Sequence, residues 1–240
     1  MERNGGAKRK HGLPSAGDLA WPPRRVALVY LPLLASLLLL AASAALWPYF
    51  PGEVELMRAV QAVDWPAVGA VLLAVSALGA APLSVALAAG VCCALALRRR
   101  WTEVAVLVFG FAGDAACRLV KEVVGRARPD PEMVYVHTLH ADPGFPSGHV
   151  VNFVTFCGFL AYLVWRFRRP SPGRGAALLL LLAPIGLVGV SRVYLGAHYP
   201  SDVAGGYLLG GLWLAWMIEL HRWLRRRAAA ASRRDATPEG

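Results

Sequence analysis

Long apolar runs, separated by short polar or basic segments, dominate the sequence. A helix needs roughly 20 apolar residues to cross a bilayer, and six stretches of the chain come close to that length. We predict spanning helices over 26–47, 81–97, 104–119, 149–165, 175–191 and 203–221. The pattern therefore predicts an all-α integral membrane protein with six transmembrane helices.

The apolar stretch from Pro66 to Leu97 is too long for one simple span, and Gly79-Ala80-Ala81-Pro82 interrupts it. We expect a short interfacial helix over 66–77 ahead of the second spanning helix. The first apolar run follows a basic segment, as in a signal peptide, but it is long for one and more spans follow, which favours a retained helix. The expected domain plan is a disordered basic segment, a six-helix membrane domain and a frayed basic tail, over 1–25, 26–222 and 223–240.

The composition agrees with this pattern. The chain is 57% hydrophobic and only 17% charged, whereas soluble chains are about 45–50% apolar and about 25% charged. An ordinary soluble domain is therefore excluded. Four cysteines lie inside apolar stretches without the paired spacing of a disulfide framework or a metal site, so we interpret them as small core residues: Cys92, Cys93, Cys117 and Cys157.

The net charge of +10 has a topological explanation. Of the 25 Lys and Arg residues, 19 lie in four segments, 1–25, 98–100, 166–174 and 222–240. Six spans place all four segments on the same face, and the positive-inside rule makes that face cytoplasmic. We therefore predict a multi-pass protein of the plasma membrane with both termini in the cytoplasm. The basic residues indicate an orientation and contact with anionic lipid, not a nucleic-acid partner.

Five of the six remaining basic residues lie at the outer ends of spans three and five. Charged side chains near the bilayer cost free energy, so their position there must have a local explanation. The same side carries three polar segments, 121–129, 145–149 and 191–202. Each segment lies at the outer end of a span, so helices three to six can bring them together. The sequence thus predicts a site at the extracytoplasmic ends of these helices.

The side chains of these segments suit a phosphate. Three cations would converge on a multiply charged oxyanion: Lys121, Arg128 and Arg192. Pro146 can occupy the first turn of the fourth span, which would leave the backbone N–H groups of Ser147 and Gly148 free. A helix N-terminus of this kind binds phosphate.

Two histidines and a carboxylate supply the chemistry. His149 follows the predicted helix start, and His198 precedes Asp202 by four residues. Asp202 could accept the ring N–H of His198 and so orient it as a nucleophile. We infer phosphoryl transfer in which His198 attacks phosphorus, while His149 protonates the leaving group and then activates water. No carboxylate cluster is present to hold Mg²⁺ or Zn²⁺, so the cations are expected to replace a metal, and no cofactor is expected.

The three segments resemble the signature of the type 2 phosphatidic acid phosphatase superfamily, which also includes vanadium haloperoxidases and glucose-6-phosphatases. That signature is Lys-x6-Arg-Pro, then Pro-Ser-Gly-His, then Ser-Arg-x5-His-x3-Asp. The matching residues, without a departure, are Lys121, Arg128, Pro129, Pro146, Ser147, Gly148, His149, Ser191, Arg192, His198 and Asp202. The resemblance implies a metal-independent phosphatase with an all-α core, with His198 as nucleophile and His149 as acid.

Other polar residues near the site receive structural interpretations. Arg126 is expected either to touch the substrate or to meet solvent or lipid headgroups, and the second interpretation is favoured. Asp114 and Arg118, four residues apart, could contact the substrate, but the favoured interpretation is an ion pair that lowers the cost of burying both charges.

A further set of residues is assigned to the surface or to packing. His137 and His140 are expected to be solvated in the outer loop. Gly206-xxx-Gly210 indicates close helix packing, and Tyr194 and Tyr199 are interpreted as anchors at the membrane interface.

The leading hypothesis is a membrane lipid phosphatase that acts on a lipid phosphate at the outer face, because the motifs lie at headgroup depth. Polyprenyl (undecaprenyl) diphosphate is favoured, since such carriers must be dephosphorylated outside the cytoplasm. Phosphatidic acid and phosphatidylglycerol phosphate come next. A transporter or flippase that binds a lipid phosphate without hydrolysis is the alternative, although it does not need the histidines. A vanadate-dependent haloperoxidase fits the motifs but not the six spans.

Overall fold

The computed structural model describes residues 26–235, and the predicted disordered segment 1–25 lies outside them. All regular secondary structure in the described range is helical. A π-helical turn, Val26–Tyr30, leads into the first helix. The helices are α1 Leu31–Leu46, α2 Glu53–Gln61, α3 Pro66–Gly79, α4 Ala81–Leu97, α5 Trp101–Val124, α6 Gly148–Phe167, α7 Pro172–Tyr194 and α8 Pro200–Asp235.

Four helical segments are long and apolar enough to cross a membrane: Leu28–Leu46, Gly148–Phe167, Pro172–Tyr194 and Pro200–Ala231. The number is up to five if α2 and α3, which bend by 118° at their junction, count as one broken span. α4 is shorter at 17 residues, and α5 has 24 residues but five charged side chains. The protein is thus an all-helical, multi-pass membrane protein, and the sixfold span count stays a prediction.

Helix α6 lies at the centre of the bundle and packs against α5, α7 and α8. The predicted close packing of Gly206-xxx-Gly210 is confirmed at the α6–α8 contact. A Cβ at Gly206 would lie 2.9 Å from the Cβ of Val150, and one at Gly210 would lie 2.9 Å from the Cβ of Val154. This close approach places the first turn of α8 beside the first turn of α6, where the site residues begin.

Two helices extend beyond their predicted ends. Helix α5 continues past residue 119 and ends at Gly125, whose φ of 62° stops the helix in the left-handed region. Lys121 is therefore held on a rigid helix. Helix α8 continues to Asp235, well into the segment 223–240 for which a frayed basic tail is predicted. Alanine and arginine, which fill this stretch, are strong helix formers.

Helix α2 was not predicted, although its start carries a recognisable signal. Gly52 precedes it with a φ of 85°, and Glu53 and Glu55 fall in its first turn, where acidic side chains are favourable. The predicted helix over 66–77 is α3. Ala80, in an extended conformation, separates α3 from α4, as the interruption in the apolar stretch indicates.

Candidate active site

The helix ends that carry the predicted site residues meet on one side of the molecule. Arg128, from the loop after α5, donates to the backbone carbonyl of Ala197 at 2.8 Å, which ties that loop to the α7–α8 connection. The backbone N–H of Ser147 donates to the backbone carbonyl of Asp202 at 3.0 Å, which ties α6 to α8. These long-range bonds bring the three sequence motifs together, as predicted.

His198 is buried, with 2% of its surface exposed. Its Nε2 lies 3.2 Å from Nη1 of Arg128, and because a guanidinium only donates, Nε2 accepts and carries the lone pair. The ring proton of the neutral imidazole then belongs to Nδ1, which faces Oδ2 of Asp202 at 3.5 Å. Burial is the largest cause that holds the pKa of His198 well below its ordinary value, and the neighbouring cations add to it. The contact with Arg128 and the lowered pKa both favour the neutral ring with its lone pair on Nε2.

The three predicted cations surround this ring. Arg192 is buried and donates from Nη1 to the hydroxyl of Ser76 at 2.7 Å. Its Nε is buried without a partner among the described residues. Lys121 donates from Nζ to the backbone carbonyl of Pro143. Together with Arg128, these side chains present unused or exchangeable donors to an anion.

Asp142 forms ion pairs with two of these cations, and the sequence analysis did not identify it. Its carboxylate lies 3.0 Å from Nζ of Lys121, and it accepts two bonds from Arg128 at 2.8 and 2.9 Å. Burial alone raises the pKa of the Asp142 carboxyl, but the bonds and charges of Lys121 and Arg128 outweigh it and hold that pKa far below its usual range. A phosphate that enters the site must share or replace these contacts.

The start of α6 differs in two details from its prediction. The helix begins at Gly148 with Ser147 as N-cap, so Pro146 precedes the first turn instead of occupying it. The N–H of Ser147 is not free, because it donates to the carbonyl of Asp202. The amide of Gly148 lies in the first helical turn, where no intrahelical acceptor exists. The Ser147 hydroxyl is buried without a partner among the described residues.

His149 is held by α3, which no sequence motif covers. The backbone of Ser76 faces its ring, and a Cβ at Gly79 would lie 2.6 Å from its Cδ2. Glycine is therefore required for α3 to approach the imidazole this closely. The interruption after Gly79 in the apolar stretch was the signal that could have pointed to this contact.

A cavity of 260 Å³ opens beside His149. One wall is polar and the other, from the end of α3 and its junction with α4, is apolar. The polar wall includes His140, which is exposed as predicted and also lines the cavity. Burial first, and then the nearby cations, lower the pKa of His140. The polar residues that line it are Ser76, His137, Thr138, His140, His149 and Arg192, and the apolar ones are Leu73, Ala77, Ala80, Leu195 and Ala197.

Two surface assignments are wrong. Arg126 is 3% exposed and does not meet solvent or headgroups; its Nη1 lies 2.7 Å from Oδ1 of Asp202. Tyr199 is 4% exposed and packs its ring over the Arg126 guanidinium at 4.8 Å, so it is not an interface anchor. Burial is the largest cause that raises the pKa of Tyr199 to about 12. Arg126 faces inward because the buried carboxylate of Asp202 needs a counter-charge, and the Tyr199 ring packs on that guanidinium.

The predicted pair between Asp114 and Arg118 is not among the ion pairs within residues 26–235, although the charge of Arg118 acts on the Asp114 carboxyl. Arg118 points to the outside of α5, whereas Asp114 is partly buried and faces a small cavity with Ser84 and Asn152.

No group of three or more His, Cys, Asp or Glu side chains is arranged to hold a metal ion in the described part of the chain. The groups that can donate hydrogen bonds to a phosphate at this site are guanidinium, ammonium and backbone N–H groups. This arrangement can bind an oxyanion and place a neutral imidazole nitrogen against it.

Comparison with known proteins shows the family of the chain. The PAP2 superfamily matches residues 85–226. Phosphatidylglycerophosphatase B of Bacillus subtilis is 28% identical over 180 residues, which cover 72% of this chain and 85% of that protein. Decaprenylphosphoryl-5-phosphoribose phosphatase of Mycobacterium tuberculosis is 34% identical over 163 residues, which cover 66% of this chain and 85% of that protein.

The fold is shared with a solved structure. The crystal structure of a transmembrane PAP2 type phosphatidylglycerolphosphate phosphatase from Bacillus subtilis superposes with a TM-score of 0.66 at 24% identity, and covers 78% of this chain and 92% of that one. The family match extends over more than half of the sequence and contains all three motifs. The chain therefore belongs to the PAP2 superfamily and is a phosphatase of that family.

Proposed function

We propose that this protein is a metal-independent membrane lipid phosphatase that works through a phosphohistidine on Nε2 of His198. The observation that carries the proposal is the state of the His198 ring. Nε2 bears the lone pair and lies against Arg128, while Nδ1 faces Asp202. A nitrogen nucleophile beside an anion-binding cation is the arrangement that phosphoryl transfer to histidine requires.

In the first step, the substrate phosphate replaces Asp142 as the acceptor of hydrogen bonds from Lys121 and Arg128. Nε2 of His198 attacks phosphorus, so the N–P bond forms as the P–O bond to the leaving group breaks. The imidazole becomes positively charged, and Asp202 stabilises that charge through Nδ1–H. The cations and the N-terminus of α6 stabilise the equatorial oxygens, which is the main catalytic task in this reaction class.

His149 supplies the proton that the leaving oxygen needs. In the second step, the same imidazole, now unprotonated, takes a proton from water as that water attacks phosphorus. The N–P bond breaks, inorganic phosphate forms, and His198 returns to its neutral state. The ring that performs both proton transfers is held by the backbone of Ser76, and the lack of a side chain at Gly79 lets α3 pack closely against it.

A lipid substrate is supported by the two walls of the cavity. The polar wall suits a phosphate, and the apolar wall of Leu73, Ala77 and Ala80 suits the first carbons of a lipid tail. We propose polyprenyl diphosphate as the substrate, with cleavage of the P–O–P bridge to leave a polyprenyl phosphate. A polyprenyl lipid is also named for the relative in Mycobacterium tuberculosis. Phosphatidylglycerol phosphate, consistent with the Bacillus subtilis relative, and phosphatidic acid are the other candidates.

Phosphate release by the purified protein across a panel of these lipids tests the proposal. We expect release in the presence of EDTA, fastest with polyprenyl diphosphate. Vanadate is expected to inhibit, because it mimics five-coordinate phosphorus in the same pocket. The His198→Ala variant is the matched control and should release none.

Loss of activity on chelation, restored by Mg²⁺, would contradict metal independence. Saturable binding of the lipids without any release would favour the transporter alternative. Release from phosphatidic acid or phosphatidylglycerol phosphate but not from polyprenyl diphosphate would overturn the substrate assignment alone.

For the topology, we propose six spans with both termini in the cytoplasm of the cell and the site at the outer face. The support is the distribution of charge, with 19 of 25 basic residues in four segments that six spans place together. α4 and α5 then cross the membrane in addition to the long apolar helices.

Labelling of single cysteines checks this topology. In a variant without the four native cysteines, an impermeant maleimide added to intact cells should label a cysteine at Glu132, in the exposed loop after α5. It should not label one at Ser171, which is equally exposed between α6 and α7. Labelling of Ser171→Cys but not of Glu132→Cys would reverse the orientation, and labelling of both in lysed cells confirms that each site is reactive.

A further inference from the structure

We propose that Arg126 and Glu53 are positioning residues that hold Asp202 in place and set the negative charge that Asp202 presents to His198. The proposal rests on the proposed role of His198 as nucleophile. Arg126 lies within the first motif but at one of its variable positions, and Glu53 lies on α2, more than 140 residues away from Asp202 in sequence.

Arg126 is completely enclosed, with no side-chain exposure. Its Nη1 donates to Oδ1 of Asp202 at 2.7 Å and to the hydroxyl of Ser201 at 2.6 Å. Its Nε donates to the backbone carbonyl of Pro48 at 3.0 Å. The third nitrogen, Nη2, is paired with Glu53. A guanidinium with all three nitrogens engaged holds the carboxylate of Asp202 in one orientation.

Glu53 completes this arrangement from the other side. Its side chain is 8% exposed, and Oε2 lies 3.0 Å from Nη2 of Arg126. Oε2 also accepts from the backbone N–H of Phe50 at 2.7 Å. Oε1 accepts from the backbone N–H of Ser201 at 2.7 Å. Glu53 thus joins the start of α2 to the first turn of α8, next to Asp202.

Two aromatic rings enclose the guanidinium. The centroid of Phe50 lies 5.1 Å from Cζ of Arg126, and that of Tyr199 lies 4.8 Å from it. Cation–π contacts of this kind are stronger where water is excluded. The rings keep the ion pairs in a dry environment, where charges act on each other more strongly than in water.

The charges around His198 come from every helix that packs against it. Asp202 of α8 faces Nδ1, and its Oδ2 also accepts from the backbone N–H of Tyr199 at 3.0 Å. The other groups that act on the ring are cations or ionisable rings: Lys121 of α5, Arg128, His149 of α6 and Arg192 of α7. Asp142 neutralises part of that charge. Asp202 is therefore the one carboxylate in contact with the His198 ring among the described residues.

Arg126 and Glu53 act on this carboxylate in opposite directions. The cation of Arg126 weakens the attraction of Asp202 for a proton on His198. Glu53 offsets part of that cation and so restores the attraction. Removing the charge of Arg126 should favour protonated His198, whereas removing the charge of Glu53 should favour neutral His198.

The rate of phosphoenzyme formation as a function of pH tests this balance, because only neutral His198 attacks. On the acid limb, Arg126→Gln should move the midpoint up by about one pH unit, which is about a tenfold loss of rate at a fixed acidic pH. Glu53→Gln should move the midpoint down. In the Arg126→Gln background, Glu53→Gln should return it towards the wild-type position. Glu55→Gln is the matched control, since Glu55 lies exposed on the same helix and should change nothing.

Shifts in the same direction for both variants, or lower rates with an unchanged midpoint, would overturn the proposal and leave the residues a purely structural role. If Arg126→Gln does not fold, Arg126→Lys keeps the charge and should keep the wild-type midpoint. A displaced midpoint in a folded Arg126→Lys variant would overturn the proposal. Absence of any phosphoenzyme in the wild-type protein would instead contradict the proposed function.

Discussion

Replacing His198 with alanine is expected to abolish turnover of every lipid phosphate and to remove the phosphoenzyme. Nε2 of His198 carries the lone pair at the centre of the cations, and no other imidazole combines that position with a carboxylate behind it in the described part of the chain. Without the nucleophile the reaction loses its first bond-forming step. Rapid quenching with a radiolabelled substrate measures the phosphoenzyme directly.

Two variants calibrate this result. Glu132→Gln changes a side chain that is exposed in the loop after α5 and should leave turnover unchanged. Asp202→Asn should be less damaging than loss of His198, because the imidazole remains but is poorly oriented. If His198→Ala still forms phosphoenzyme while His149→Ala does not, the roles of the two histidines are reversed and the mechanism is wrong.

Replacing His149 with alanine is expected to slow phosphoenzyme formation by an amount that depends on the leaving group. General acid catalysis is typically worth about 10²–10⁴-fold. An alkoxide or a phosphate leaves poorly without a proton, so a lipid substrate should show a deficit in this range. p-Nitrophenolate leaves readily, so the deficit should shrink for p-nitrophenyl phosphate.

This step must be measured before steady state, because His149 is also expected to activate water in the second step. Phosphoenzyme trapped at short times reports the first step alone. An equal deficit for the lipid and the aryl phosphate would show that His149 does not protonate the leaving group. Ser76→Ala is a useful comparison, since it changes the hydroxyl that binds Arg192 and keeps the His149 ring.

The helices and the motif residues could be predicted because their signals are local. The apolar runs 149–165 and 175–191 fall within α6 and α7, since helix-forming apolar residues follow one another along the chain. Lys121, Arg128, His149, Arg192 and His198 were found because the motifs state their spacing. Their convergence follows from the helix ends that carry them.

The supporting residues could not be predicted, because their partners are distant in sequence. Glu53 reaches Arg126 across 73 positions, and Ser76 reaches Arg192 across 116. No local pattern records such a pairing. For Arg126 the sequence favours solvent or lipid headgroups over the substrate, and only the folded chain shows the buried carboxylates of Asp202 and Glu53 beside it.

The central claim is a covalent bond between phosphorus and Nε2 of His198. Phosphoenzyme formed from radiolabelled lipid, quenched and digested at alkaline pH to preserve N–P bonds, can be mapped by mass spectrometry. We predict that the phosphate resides on the peptide that contains His198, on an imidazole nitrogen, and that it forms and decays at rates compatible with turnover. Phosphate on another residue, or full turnover with no enzyme-bound phosphate at any time, would contradict the account.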